Sequence, residues 1–90
     1  MYPFSDCCAM PATNRNPALA KAFGDTVRAL RESQGIAQEA LALTADMDRS
    51  YLGRLERGEK QPPLDVVFRV AAALGVEAHK LVAKVAKAIS

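Results

Sequence analysis

Ninety residues, half of them hydrophobic and only 6% aromatic, suffice for one small domain whose core must be filled by Ala, Leu and Val. A net charge of +2 excludes a broad positive field, so any affinity for nucleic acid has to come from individually directed side chains. There is no run of about eighteen apolar residues that would span a membrane, and no basic start leading into an apolar segment, so a cytoplasmic protein is expected. Residues 1–16, MYPFSDCCAMPATNRN, lack a hydrophobic period and are broken by Pro and Met; they read as an N-terminal extension ahead of a domain over 17–90. Tyr2 and Phe4 are its candidate anchors. Cys7 and Cys8 are adjacent, and adjacent cysteines rarely bridge each other because the geometry is strained. With His79 as the single histidine they make too few ligands for zinc, so neither a metal nor a cofactor is expected.

Asn16-Pro17 supplies an N-cap and a proline at the first helical position. Leu19, Phe23, Val27 and Leu30 then recur as one apolar stripe, with Lys21, Asp25, Arg28 and Glu32 on the wet side, until Gly35 stops the helix. A second helix begins near Gln38, behind Ala37, an N-cap worse than Ser or Thr by about 1 kcal/mol. It carries Leu41 and Ala42 inward and ends at a tight turn, Ala45-Asp46-Met47. Asp48 is the N-cap of a third helix over Arg49 to Arg57, with Met47 and Leu52 as a hydrophobic staple and Gly58 as the stop. Leu52 and Leu55 point inward. Gly53, in the helix interior, costs about 0.8–1 kcal/mol against Ala and clears bulk from one face. Residues 38–58 are therefore two short helices locked by a short turn, a helix-turn-helix unit whose second helix commonly reads the major groove.

Pro62-Pro63 starts a fourth helix with Leu64, Val67, Val70, Ala71 and Leu74 as its inward stripe, Phe68 off it, and Gly75 as its stop. A fifth runs from Ala78 to Ile89. Leu81 belongs to the core, while Val82, Val85 and Ile89 form a second apolar line suited to a two-fold partner; Lys80, Lys84 and Lys87 lie mainly elsewhere. No stretch alternates with period two, so the fold is all-α.

On the third helix Arg49, Ser50 and Arg54 project from the exposed side, and an arginine fork matches guanine O6 and N7. Tyr51 either bonds a phosphate or covers the junction with the second helix. Arg57 and Lys60 flank Gly58 and are placed to steer toward phosphate. His79 reads as exposed. No glycine-rich phosphate loop, ligand spacing or nucleophile-base pair is present, so no enzyme is expected.

Three segments, VRALRESQGIAQEALA, YLGRLERGEKQPP and VAAALGV, occur in this order between about Phe23 and Val82. Together they resemble the phage-repressor and Cro, or XRE-type, helix-turn-helix domain over some two thirds of the chain. The resemblance implies a five-helix, lambda-repressor-like bundle that binds double-stranded DNA and controls transcription as a dimer. It implies that Gln38 contacts a phosphate and that Arg31 pairs with Glu56, linking the first helix to the third; a planar guanidinium suits such a partly buried pair. The chain departs from the pattern at Ala37 and Asp48, where Ser or Thr is usual, and at Asp46, where Gly is usual. The expected function is a sequence-specific DNA-binding transcriptional regulator on an inverted repeat, dimerised through Val82, Val85 and Ile89. The alternative is a protein-interaction module, such as an antitoxin-like partner.

Overall fold

A computed structural model describes residues 16–89. The expectations for Tyr2, Phe4, Cys7 and Cys8 lie outside the described residues. Five helices follow in order: α1 Pro17–Ser33, α2 Gln38–Thr44, α3 Arg49–Glu56, α4 Leu64–Leu74 and α5 Ala78–Ile89. Among the described residues there is no strand, and no helix is long and apolar enough to cross a membrane.

The helix ends follow local chemistry. Asn16 caps α1 by accepting a hydrogen bond from the Leu19 N–H at 3.1 Å, and Pro17 occupies the first turn. The turn between α2 and α3 passes through Asp46 at φ 58°, a left-handed residue where glycine would be unstrained and Asp is among the more tolerant substitutes. Arg69 of α4 holds that turn by donating to the Asp46 carbonyl at 3.2 Å. Leu52 lies in the core cluster and Met47 packs against that cluster. Asp48 takes the N-cap position of α3, but its side chain makes no cap hydrogen bond. Ala37 likewise provides none for α2.

Helix α1 is central, packing on α3, α5 and α4, while α2 packs on α3 and α4. Phe23 and Val27 from α1, Leu41 from α2, Leu52 and Leu55 from α3, Val70 from α4 and Leu81 from α5 meet in one core. Helices α1 and α3 approach closely at Gly24. At Gly24 a Cβ would collide with the Leu55 carbonyl oxygen and stand 2.7 Å from that of Glu56, so only glycine lets these two backbones approach so closely. Gly58, at φ 77°, abuts the Lys21 backbone of the same helix.

Two expected faces differ from the structure. On α4 the inward stripe is Val66, Val67, Val70, Ala71 and Leu74, whereas Leu64 is 72% exposed. At 100° per residue Leu64 falls about a quarter turn from the stripe's centre, and it sits beside exposed Phe68 on the same side of the helix. On α5, Val85 is only 4% exposed and packs in the core with Leu81, its neighbour one turn back. Val82 and Ile89, rotated away from that pair, are about half exposed. The second apolar line of α5 is therefore Val82 and Ile89 without Val85.

Candidate nucleic-acid interface

The start of α2 and the outer face of α3 enclose an open cleft of about 370 Å³. Gln38 lines it from α2; Arg49, Ser50, Gly53 and Arg54 line it from α3, with Asp48 and Arg57 at the two ends of that helix. Five of the seven residues expected to face DNA thus converge on one surface. Arg49, Ser50 and Arg54 are exposed, one helical turn separating the first two from the third. Lys60 is exposed in the following loop but does not line the cleft, and Tyr51 is half-buried against the core.

Beneath this surface lies a buried polar hub. Glu56 is 4% exposed and accepts both Arg31 Nε at 2.7 Å and Arg31 Nη2 at 3.0 Å, the bidentate pair implied by the family resemblance. Arg31 also donates to the Ile36 carbonyl at 2.9 Å, closing the α1–α2 loop. The hydrogen bond to Glu56 raises the Arg31 pKa above its ordinary value, so the guanidinium is a permanent cation. Among the described residues no buried side-chain polar atom is left unpartnered.

Glu56 accepts a third hydrogen bond that spacing alone does not reveal: Gln38 Nε2 donates to Glu56 Oε1 at 3.0 Å. The amide is thus tied to α3 and is not a freely solvated surface group. A carboxamide carries two N–H donors, so one serves Glu56 while the second can donate into the cleft. Gly53 lies beside this arrangement. A Cβ there would stand 3.7 Å from both terminal atoms of Gln38 and 3.2 Å from Arg57 Nη1. The contact with Gln38 would be an ordinary van der Waals one, and only the flexible end of Arg57 would have to give slightly.

Acidic groups lie at both ends of the cleft. Arg57, expected to reach phosphate, instead donates from Nε to Glu59 Oε2 at 2.8 Å. That hydrogen bond lowers the Glu59 pKa and raises that of Arg57. Arg49 and Arg54 make no hydrogen bond or salt bridge within the described part of the chain that would hold them back in this way. His79 is exposed, as expected, and lies 3.3 Å from Glu77. Among the described residues no cluster of His, Cys, Asp and Glu could hold a metal ion.

A recognition helix backed by a bonded hub defines a class of fold, and comparison with known proteins specifies it. Residues 27–81 match the helix-turn-helix family model. The chain belongs to the helix-turn-helix family, with an all-α, lambda-repressor-like fold. It is similar to the control protein C.BamHI of Bacillus amyloliquefaciens, 38% identical over 60 residues that cover 66% of this chain and 74% of that one. The restriction-modification controller protein C.AhdI from Aeromonas hydrophila superposes with a TM-score of 0.67 at 39% identity, over 69% of this chain and 94% of that one. The clp gene regulator ClgR from Corynebacterium glutamicum gives a TM-score of 0.75 at 28% identity, over 80% and 94%.

Proposed function

We propose that this protein is a sequence-specific DNA-binding transcriptional regulator of the cytoplasm, acting as a homodimer on an inverted-repeat operator. The observation that carries this reading is the cleft. Arg49, Ser50 and Arg54 project from one exposed face of α3, beside a Gln38 amide held in place by buried Glu56. Arg54 and Arg49 serve as base or phosphate contacts, Ser50 bonds a base edge or phosphate, and Gln38 positions the domain on the backbone. Its likeness to controller proteins and gene regulators supports the same reading.

The dimer reading rests on α5. Val82 and Ile89 share a face and are about half exposed, so a two-fold partner would remove both from water. Such a dimer would set two copies of α3 about 34–36 Å apart, one helical turn of duplex. The protein-interaction alternative is supported by exposed Leu64 and Phe68 on α4. Fluorescence titration against random-sequence and selected duplexes separates the readings. Salt-dependent binding with a preferred sequence supports the regulator; binding with neither property overturns it.

A further inference from the structure

The loop after α3 places an acid at the rim of the cleft. Arg57 reaches Glu59 through the two nitrogens of one edge of its guanidinium, Nε to Oε2 at 2.8 Å and Nη2 to Oε1 at 3.4 Å. Its remaining nitrogen, Nη1, lies over Gly53 on the cleft side. Arg57 therefore faces the cleft while the Nε–Nη2 edge of its guanidinium is occupied by a carboxylate of its own chain. Glu59 is fixed there by its backbone N–H, which donates to the Arg54 carbonyl at 2.9 Å. Arg57, and to a smaller extent Arg54, stabilises the ionised carboxylate.

Both partners are more than half exposed, 58% and 52%, so the pair contributes little to folding and is open to exchange. A carboxylate and a phosphate offer a guanidinium the same paired oxygens. Neutralising a phosphate also releases counterions from the duplex, which the internal carboxylate cannot do.

From this juxtaposition we infer that Glu59 is an internal stand-in for a DNA phosphate, occupying Arg57 in the free protein and displaced from it when the duplex backbone docks. The inference rests on the DNA-binding reading above. Glu59 thus sets how tightly the protein holds DNA of any sequence, because the contact it competes with carries no sequence information. In the exchange the Arg57 guanidinium leaves the Glu59 carboxylate for a phosphate, and the carboxylate is hydrated.

The test is a double-mutant cycle on the full chain: wild type, Glu59→Gln, Arg57→Ala and the double variant. Anisotropy is read with a fluorescent duplex of random sequence and with a selected operator, over a series of salt concentrations. Glu59→Gln is expected to tighten both complexes by about tenfold at each salt concentration while leaving the log–log slope unchanged, because Arg57 reaches the same phosphate in both proteins. In the Arg57→Ala background the same change is expected to give about threefold or less, because no Arg57–Glu59 pair is then there to be displaced. All four proteins should melt together, given how exposed the pair is. Weaker binding by Glu59→Gln would overturn the inference, since the acid would then be holding Arg57 ready for DNA. Equal gains in both backgrounds would also overturn it, leaving repulsion alone. If wild type binds with normal salt dependence, either result counts against this inference only. Absence of binding by every variant, wild type included, would instead overturn the DNA-binding reading and this inference with it.

Discussion

Replacing Glu56 by Ala should damage the fold more than any other single change on the DNA-facing side. The substitution removes the counter-ion of Arg31, whose side chain is only 12% exposed, and the acceptor of the Gln38 amide. Breaking a buried ion pair from one side costs about 3–5 kcal/mol, because the surviving charge is left in a poorly solvated place. Arg31 keeps its bond to the Ile36 carbonyl and some contact with water, so the lower end applies, about 3 kcal/mol. For a domain of this size that corresponds to about 12–24 °C in melting temperature. Urea unfolding followed by helical circular dichroism measures it, the midpoint falling while the slope holds. Replacing both residues, as Arg31→Met with Glu56→Leu, should cost less than Glu56→Ala alone, since no charge is then stranded. A loss below about 1 kcal/mol for Glu56→Ala, or a double variant worse than the single one, would refute the buried-hub account.

Gly24→Ala should lower stability by about 1–3 kcal/mol in the same assay, although Ala is the better helix former by about 1 kcal/mol, because the added methyl meets the α3 carbonyls; an unchanged midpoint would show that the α1–α3 crossing relaxes freely. Arg54→Ala should weaken the preferred operator by about 1–3 kcal/mol and relax choice at one base pair in a selection experiment. Gln38→Ala should instead weaken all sequences alike. Val82→Asp should yield a folded monomer in sedimentation, whereas Val85→Asp should unfold, since Val85 lies in the core; a folded Val85→Asp monomer would contradict that placement.

Much of the fold was legible because the helix boundaries are written in local chemistry. Asn16-Pro17, Gly35, Gly58 and Gly75 act over a turn or less, and the structure places stops or starts at each of them. The facing of helices was legible only in part. Periodicity identifies an apolar stripe but not its edges: Val82 and Val85 differ by less than one turn, yet one is half exposed and the other buried, because neighbouring helices decide where the core ends. The same holds for Leu64 and Val66. Contacts across sequence left little trace. Gly24 signals its close approach only as a glycine inside a good helix, and the Gln38–Glu56 hydrogen bond joins residues eighteen apart on different helices. In the sequence Glu59 is merely an acid two residues beyond Arg57. Its two-residue spacing from Arg57 becomes informative once the turn at Gly58 folds one side chain onto the other.

The central claim is that the exposed face of α3 reads DNA sequence in a two-fold arrangement. Selection of bound duplexes from a random pool by the purified wild-type protein, followed by sequencing, tests it most directly. The account predicts enrichment of an inverted repeat with half-site centres about one helical turn apart, and loss of one specified base position in each half when Arg54 is replaced. A pool that stays random after repeated rounds, or one whose preferred site is unchanged by replacing both Arg49 and Arg54, would contradict it.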